Sequence, residues 1–573
     1  MATPPKPLPA QPQGSYGDWV RRFDTPSPEE LEALRAEAAA MPHAPLISVV
    51  MLGTPAGMGR ASDRARTTSS LLGQTYANWE LLIPLGGSED AAGPDPRVRI
   101  LACGSFNAAL GEARGKFLSF VGAGDMLPPH ALQTLLAHVP SHPALVYSDE
   151  DEISDDGIRQ KPHFKMGWNP DFFLGQDYAC RLALLSAELA IGLGRGLPSR
   201  RAVYDLILQI VGNHPGLKIA HVPHVLYHQQ ATSALSEVEA AQLQRSAEEH
   251  VGALPRQPGF PAPAVRRIAP GLHRVIWPLP VKPPRISVVI PTRDRADLLE
   301  QCVNGLRLRT SWPDLEILIA DNGSAEEATH AVLRELSLDQ RVRVIPCPGA
   351  FNYAAINNEA VRHATGSLLL LMNNDVMVTE PGWLREMAGH AMRDGIGAVG
   401  SMLWYGDNTV QHAGVVLGVG GGPSHLFKGQ PANAPGYANR MRLAQDVSIV
   451  TAACMLVPRG VWQETGGLDE GFAVAYNDVD FCLRIRKAGY RVIWTPHARL
   501  YHLESASRGY EDTPEKQARF NREKAMLAAR WTDALDIDPY YNPNLTAEAL
   551  DCRLAFPPRR AALWKTAVSG SFA

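Results

Sequence analysis

The chain has 573 residues, too many for a single hydrophobic core, so two or more domains are expected. Its composition, 45% hydrophobic and 20% charged, is that of a globular protein, and its net charge of −4 argues against a general affinity for nucleic acid, which needs a basic surface. The 7 cysteines form no CxxC pair, which favours reduced thiols over a zinc site or a disulfide framework.

Residues 1–44 are predicted to form an N-terminal tail and one helix. The tail is proline-rich and lacks the apolar core of a signal peptide, and no stretch of the chain approaches the ~20 apolar residues of a membrane span. Ser27 followed by Pro28 indicates the capped start of a helix that runs to about residue 40. We therefore expect a cytoplasmic protein, and we expect any contact with a membrane to be peripheral.

The rest of the chain repeats itself. The apolar strand at 46–51 has a close copy at 286–290, and each copy later reaches Leu-Tyr-His, at 226–228 and at 500–502. Strands and helices alternate in the same order within both copies. This alternation is typical of an α/β fold with a mostly parallel sheet, whose ligands bind beyond the carboxyl ends of the strands. After residues 1–44 we predict a degenerate domain at 45–232, a partly structured linker at 233–284 and a catalytic domain, with a C-terminal helix and tail, at 285–573.

Two carboxylates of the second copy follow predicted strands. Asp321 either accepts hydrogen bonds from a nucleobase or a ribose, or closes a turn by bonding its own backbone. Asp375 ends the segment Asn-Asn-Asp and offers the oxygen ligand that Mg²⁺ and Mn²⁺ prefer, unless the segment is only a turn.

Further candidates lie near the end of the second copy. Asp478 either caps a helix or acts as a general base for a sugar hydroxyl. Asp480 and Arg484, four positions apart, are expected to pair on one helix face. His502 ends a strand and is either structural or a metal ligand beside Asp375.

In this order, the segments of the second domain resemble glycosyltransferase family 2, which has the GT-A fold. The first copy shares part of the pattern, so the resemblance implies two tandem GT-A-like, that is Rossmann-like, domains. It is similar above all to two-domain bacterial transferases of surface polysaccharides, of the O-antigen or rhamnosyl type. The segments that carry it are ISVVIPTRDR, LIADNGS, FNYAAINNEAVRHATG, LLLLMNND, GGLDEGF, YNDVDFCLRIRKAGYR and YHLESASRGY.

The resemblance implies a function and a set of site residues. Asp478 matches the base of an inverting sugar transfer, and Asp375 and His502 match ligands of Mn²⁺ or Mg²⁺. The expected partners are a UDP-, dTDP- or GDP-sugar donor and a glycan or lipid-linked acceptor at the inner face of the cell membrane. The first position of the family's DxD metal motif is asparagine here. The donor is expected to contact Pro291, Thr292, Asp321, Asn358, Asn373, Asn374 and Arg508.

The first copy has lost these groups at the aligned positions. None of the replacing side chains binds a metal or accepts a proton, so we predict that the first domain does not transfer sugar. Asp125 survives one position away from the metal motif, and His228 is retained. The residues opposite Asp321, Asn373, Asp375 and Asp478 are Leu85, Gly122, Gly124 and Val203.

Two other segments invite a functional interpretation. The four carboxylates at 149–152 are interpreted as a solvated acidic turn rather than a metal site. The glycine run at 418–422 does not join a first strand to a first helix, so we predict a flexible loop over the site rather than a dinucleotide motif.

Two alternative functions remain open. A non-catalytic glycan-binding or scaffold protein of a polysaccharide assembly complex is the first, and the intact carboxylates of the second copy favour the enzyme over it. A nucleotidyl transferase is the second. It needs a glycine-rich first loop with a basic residue near the attacked phosphate, whereas the loop at 292–295 has no glycine.

Overall fold

A computed structural model describes residues 14–563, except 42, 54–56, 87–90, 93–94, 140–143, 194–198, 232–234, 257 and 504–512. Each half of the described chain builds one large sheet, of nine strands in the first half and ten in the second. Helices and strands alternate around both sheets. The predicted fold class, two tandem α/β domains, is confirmed.

The first half contains eight α-helices and eleven strands within the described residues. The helices are α1 (Tyr16–Phe23), α2 (Pro28–Ala39), α3 (Ala61–Leu72), α4 (Phe106–Gly111), α5 (Ala131–Ala137), α6 (Pro170–Gly175), α7 (Arg200–Asn213) and α8 (Glu237–Ala253). The strands are β1 (Ile47–Leu52), β2 (Trp79–Pro84), β3 (Ala91–Ala92), β4 (Val98–Leu101), β5 (Phe117–Gly122), β6 (Ala144–Ile153), β7 (Arg159–His163), β8 (Ala183–Ser186), β9 (Lys218–Gln230), β10 (Ala264–Ala269) and β11 (Leu272–Ile276).

The second half repeats the pattern with more strands. Its helices are α9 (Ala296–Arg309), α10 (Glu327–Leu336), α11 (Tyr353–Arg362), α12 (Trp383–Ala391), α13 (Arg459–Thr465), α14 (Asn477–Lys487) and α15 (Pro514–Arg530). Its strands are β12 (Ile286–Thr292), β13 (Leu315–Asp321), β14 (Val342–Pro346), β15 (Leu368–Met372), β16 (Val376–Val378), β17 (Ile396–Trp404), β18 (Val410–His412), β19 (Val415–Val419), β20 (Gly422–His425), β21 (Gln445–Asp446), β22 (Cys454–Pro458) and β23 (Arg491–His502).

Both sheets share the order of their parallel strands. The first sheet runs β4-β2-β1-β5 and the second runs β14-β13-β12-β15, all in parallel. Antiparallel strands β8 and β22 then follow at equivalent places. In each sheet the four parallel strands therefore bring their carboxyl ends to one edge. A ligand is expected at that edge.

A buried serine, glutamate and glycine explain part of the sequence repeat. Ser48 Oγ donates to Glu80 Oε1 at 2.6 Å and accepts from the Gly115 amide at 2.8 Å. A Cβ atom on Gly115 would lie 2.6 Å from the backbone nitrogen of Ser48, so only glycine fits. The second copy repeats the same bonds with Ser287, Glu316 and Gly366. These repeated residues therefore stabilise the fold and do not belong to the candidate site.

The chain ends tie the two halves together. The segment 538–563 lies against the first domain, where the side-chain amides of Asn542 and Asn544 donate to the Asp149 carboxylate at 2.8 and 3.1 Å. Helix α1, which the sequence did not predict, joins this contact through a bond from Trp19 Nε1 to the carbonyl of Ala555 at 3.0 Å. The predicted helix α2 is confirmed, with Ser27 as its cap.

Two interpretations from the sequence are wrong. Residues 149–152 form part of the buried strand β6 rather than a solvated turn, because their charges are paired: Asp151 bonds Arg159 at 2.6 Å, for example. The glycine run at 418–422 is the tight turn of the β19–β20 hairpin rather than a loop over the site. A Cβ atom on Gly418 would lie 2.5 Å from the carbonyl of Asp536, which fixes this turn against the C-terminal segment.

The predicted linker at 233–284 has regular structure. Helix α8 packs along α7, and β10 and β11 form an antiparallel hairpin.

All 7 cysteines are free thiols. Within the described ranges, none of the helices combines the length and the apolar character that crossing a bilayer requires.

Candidate functional site

The structure brings most of the predicted site residues to one edge of the second sheet. Strands β12 and β13 run side by side and end together, with Thr292 paired to Asp321. The neighbouring strand β15 is followed by Asn374, whose side-chain amide donates to Thr292 Oγ1 at 3.1 Å. The preceding residue, Pro291, belongs to the same strand end. The carboxyl ends of the parallel strands thus place these polar side chains next to one another.

Asp321 closes a turn and keeps one oxygen for another partner. Its Oδ1 accepts from the Ser324 amide at 3.0 Å and from Ser324 Oγ at 2.6 Å. Within the described part of the chain, Oδ2 receives no hydrogen bond. Both sequence interpretations are therefore compatible, because the turn holds the carboxylate while its second oxygen remains an acceptor at the strand edge.

Asp375 and His502 meet because their strands pair. The antiparallel register of β16 and β23 sets Val376 opposite His502, so the residue before Val376 faces the imidazole. Asp375 Oδ1 lies 3.0 Å from His502 Nε2. The carboxylate is 4% exposed, and Oδ1 has no hydrogen-bond donor among the described residues. A buried carboxylate oxygen without a donor is costly unless a cation compensates it.

Gln411 fixes the tautomer of His502. His502 Nδ1 donates to Gln411 Oε1 at 2.7 Å, because an amide oxygen only accepts. In the neutral ring this leaves the lone pair on Nε2, the nitrogen that faces Asp375. Asn373 Nδ2 is 3.2 Å from the same nitrogen. The arrangement is that of a metal-binding histidine oriented by a second residue, and sequence reasoning missed Gln411.

The residues present fit a divalent cation that takes some of its ligands from the protein and the rest from a substrate. Asp375 Oδ1 and His502 Nε2 supply one oxygen and one nitrogen, and the Asn373 amide lies beside them. Among the described residues, no group of three or more His, Cys, Asp or Glu side chains is placed so that it could hold a metal ion. Magnesium-type sites with few protein ligands are completed by phosphate oxygens.

Asp478 lies at the start of α14, behind Tyr476, whose φ of 63° places it in the left-handed region. Its Oδ2 accepts from the Ala452 amide at 3.2 Å, and its Oδ1 accepts from the Val479 amide at 2.9 Å. Burial raises the pKa of the Asp478 carboxyl above its usual value, and these hydrogen bonds offset only part of that shift. A carboxylate with a raised pKa is a stronger base than an ordinary one.

Tyr353 connects the two parts of the site. Its hydroxyl donates to the carbonyl of Ala452 at 3.0 Å and lies 3.4 Å from Asn373 Oδ1. The amide of that same Ala452 bonds Asp478. One partly buried tyrosine therefore connects the candidate metal ligands with the candidate base.

Asp480 is structural, as its predicted pairing indicated. Its Oδ2 accepts from Arg484 Nε at 2.8 Å, and its Oδ1 accepts from Arg530 and from Trp531 Nε1, both at 2.9 Å. The predicted pair of Asp480 and Arg484 is confirmed. The carboxylate joins α14 to α15 and leaves Asp478 as the acidic group of this helix that faces the site.

One predicted donor contact, Asn358, stands apart from this cluster. The Asn358 amide bonds the backbone of Leu468 in both directions, at 2.8 and 3.0 Å, and so holds the loop before α14. This use of its side chain favours a structural role over donor binding. Arg508 lies outside the described residues.

The first domain retains the frame of the metal pair but uses it differently. Met126 pairs with His228 as Val376 pairs with His502, so Asp125, not Gly124, is the counterpart of Asp375. The alignment by sequence missed this because the first copy has one more residue between the strands. Asp125 is bonded by the Tyr227 hydroxyl and the Gln230 amide, and His228 Nδ1 bonds Asp151 at 2.6 Å. Both oxygens of the Asp125 carboxylate are thus occupied by the protein itself.

Comparison with known proteins finds a family match for part of the chain. Residues 287–465 match the family model "Glycosyl transferase family 2". The chain is 38% identical over 542 residues to a Sinorhizobium fredii protein named y4gI, covering 90% of this chain and 59% of that one. It is 33% identical to the O-antigen biosynthesis protein RfbC of Myxococcus xanthus, covering 96% of this chain and 44% of that one. The chain thus spans about half the length of these two curated relatives.

Shorter relatives and solved structures match parts of the chain. An N-acetylglucosaminyl-diphospho-decaprenol L-rhamnosyltransferase of Mycobacterium tuberculosis is 25% identical over 43% of this chain and 84% of its own. The mannosyltransferase PcManGT of Pyrobaculum calidifontis, solved with GDP-Man and Mn²⁺, is 21% identical, covering 52% of this chain and 79% of its own with a TM-score of 0.34. GalNAc-T7, solved with UDP, GalNAc and Mn²⁺, is 15% identical, covering 44% and 50% with a TM-score of 0.35. Residues 287–465 therefore form a glycosyltransferase family 2 domain.

Proposed function

We propose that this protein transfers a sugar from a nucleotide-sugar donor to a glycan or lipid-linked acceptor during bacterial surface polysaccharide synthesis. The family match and the O-antigen relative support the class of reaction. The single observation that carries the proposal is the buried Asp375 oxygen without a hydrogen-bond donor, 3.0 Å from the lone-pair nitrogen of His502. Such a pair is suited to a cation and therefore to a diphosphate substrate.

The strand ends would hold the donor. The free oxygen of Asp321 suits a hydrogen-bond donor on the ribose or the base of the nucleotide. Thr292 and Asn374 lie between Asp321 and the metal pair. Asp375 and His502, with Asn373 beside them, would hold Mn²⁺ or Mg²⁺. When bound, the metal would supply positive charge to a nucleoside diphosphate leaving group. The nucleotide expected is UDP, dTDP or GDP.

Asp478 would act as the general base. Two backbone amides fix its carboxylate, and burial raises its pKa, so it is oriented and basic before substrate binds. It would take the proton of the acceptor hydroxyl as that oxygen attacks the anomeric carbon from the face opposite the diphosphate. A single displacement of this kind inverts the anomeric configuration.

The first domain, residues 45–232, would have no transferase activity. Support comes from Asp125, whose two carboxylate oxygens are bonded by the Tyr227 hydroxyl and the Gln230 amide. The catalytic domain would be residues 285–573, joined to the first by the structured segment 233–284. With a lipid-linked acceptor, the protein would work in the cytoplasm at the inner face of the membrane, through peripheral contact.

The Asp478→Asn variant tests the proposal. We expect the wild type to release UDP, dTDP or GDP from one of the matching nucleotide sugars when lipid-linked saccharides are supplied as acceptor. The variant should lose about 10²–10⁴-fold in kcat, because that is the usual contribution of a general base. Its nucleotide affinity should be unchanged, and the exposed change Asp533→Asn serves as the matched control.

The pH dependence separates a base from a structural carboxylate. The active form is the carboxylate, so wild-type kcat should fall as the pH drops through the raised pKa of Asp478. The residual activity of the variant should lack this acidic limb. Folded wild-type protein that binds glycans but releases no nucleotide from any donor would support the scaffold alternative instead.

A further inference from the structure

Helix α15 places a carboxylate in the interior of the second domain, and the proposed function does not use it. The buried residues of this 17-residue helix are Glu523 and Leu527, and most of its other residues are exposed. Leu527 joins the apolar core, whereas Glu523 is a charged group with an exposed fraction of 2%. Burying a carboxylate costs free energy unless hydrogen-bond donors meet it, so a buried glutamate on such a helix indicates a specific local partner.

The partner of Glu523 is the turn that precedes Asp478. Glu523 Oε1 accepts from the Val474 amide at 3.3 Å, and Oε2 accepts from the Ala475 amide at 2.7 Å. Hydrogen bonds to an ionised carboxylate are stronger than those between neutral groups. Each oxygen holds one of two consecutive amides, so the carboxylate fixes the orientation of this stretch of backbone.

Tyr476, the next residue of the turn, needs such support. Its φ of 63° lies in the left-handed region, which is unfavourable for a residue with a large side chain. Its ring packs against Phe520 of α15, with 5.5 Å between the ring centres, and Phe520 lies one turn before Glu523 on that helix. Helix α15 therefore contacts the turn twice, through a carboxylate and through an aromatic ring.

The conformation of this turn decides where Asp478 points. Tyr476 is the cap of α14 and Asp478 is the second residue of that helix, so a change at Tyr476 would reorient the candidate base. A separate contact, from Arg530 to Asp480 at 2.9 Å, keeps α14 attached to α15. Loss of the Glu523 carboxylate is therefore expected to loosen the turn while the two helices stay packed together.

We propose that Glu523 is a positioning residue for Asp478, which it aims at the acceptor hydroxyl by holding the amides of Val474 and Ala475. The inference rests on the proposed function, because that function makes Asp478 the base. Glu523 acts through the backbone, since both of its oxygens bond the turn. Its removal should therefore slow the chemical step and leave the binding of the donor unchanged.

Steady-state kinetics of the full chain separate positioning from a merely structural role. We expect Glu523→Ala to lower kcat by about 10–100-fold, a cost typical of a slightly misplaced catalytic group, and to leave the donor KM unchanged. The same change made in Asp478→Asn should lower the residual kcat no further, because that variant has no base to aim. Glu523→Gln keeps one acceptor oxygen and should fall between the wild type and Glu523→Ala. The matched control is Glu515→Ala, which removes an exposed glutamate of the same helix and should leave kcat unchanged.

Hydrogen exchange measured by mass spectrometry tests the anchor without any substrate. Peptides that cover 472–480 should exchange about tenfold faster in Glu523→Ala than in the wild type, because two hydrogen bonds to a carboxylate are lost there. Equal exchange in this segment, an unchanged kcat, or an equal loss of kcat in the wild-type and Asp478→Asn backgrounds would overturn the proposal. A wild type that releases no nucleotide from any donor would overturn the proposed function, and the exchange rates then decide whether Glu523 holds the turn.

Discussion

At the scale of single residues, binding and orienting are separate tasks in this site. Asp375 and His502 face each other, whereas Gln411 lies behind the imidazole and sets which nitrogen carries the proton. An imidazole without such a partner populates both tautomers and several ring orientations. Residues that orient a metal ligand in this way raise its affinity for the metal without touching it.

The Gln411→Leu variant should therefore bind Mn²⁺ about 10–100-fold more weakly than the wild type, the usual cost of losing an orienting partner. Electron paramagnetic resonance of free Mn²⁺, in the presence of nucleoside diphosphate, measures this affinity. Gln411→Glu should restore most of it, since a carboxylate also accepts from Nδ1. The exposed change Gln517→Leu is the control. Equal Mn²⁺ affinity in wild type and Gln411→Leu would contradict the orienting role of Gln411.

At the scale of elements, the first domain holds a part of the second that borders the site. The Asn169 side chain, just before α6, exchanges two hydrogen bonds with the backbone of Asp446 in β21, at 2.9 and 3.0 Å. Asp171 in α6 bonds Arg393 at 2.7 Å and also bonds Arg491. The first domain thus anchors the second at both ends of the segment from β17 to β21.

Replacing Asp171 by alanine should lower the free energy of unfolding by about 3–5 kcal/mol. The change removes the buried carboxylate partner of Arg393 and one of the two carboxylates that pair with Arg491. Burial opposes ionisation of Asp171, but the charges of Arg393 and Arg491 outweigh it and hold its pKa well below the usual value. Its contribution should therefore be complete above the ordinary carboxyl pKa and be lost as the pH falls toward the lowered one. Denaturant titrations at neutral and acidic pH measure both effects.

The exposed variant Asp156→Ala provides the matched control and should change stability by less than about 0.5 kcal/mol. A loss at Asp171→Ala no larger than that of the control would mean that the contact between α6 and the second domain contributes nothing to stability. A loss that is the same at both pH values would contradict the role of the carboxylate charge.

The sequence predicts those site residues that follow regular elements. Asp321 and Asp375 come directly after apolar strands, and parallel strands bring their carboxyl ends together, so their proximity could be expected. Gln411 could not be found in this way. It lies on the short strand β18, which has no clear period, and it meets His502 only through a contact 91 positions away.

At the scale of the whole molecule, the two halves repeat one structural frame. The same parallel order, the same buried serine and glutamate, and the same pairing of a strand-end histidine recur in both halves. The repeated fold could be predicted because the two halves have similar residues at matching positions. The crossing of the C-terminal segment to the first domain could not, since Asn542 reaches Asp149 across 393 positions and the segment has no periodic pattern.

The most direct test of the account is calorimetric titration of UDP, dTDP and GDP, with and without Mn²⁺, into three proteins: the wild type, Asp375→Asn and Asp125→Asn. The two variants change carboxylates at the same strand register in the two domains. We predict metal-dependent binding of one nucleotide that is at least about tenfold weaker in Asp375→Asn and unchanged in Asp125→Asn. Folded wild-type protein that binds none of the three, or binding that depends on Asp125 rather than Asp375, would contradict the account.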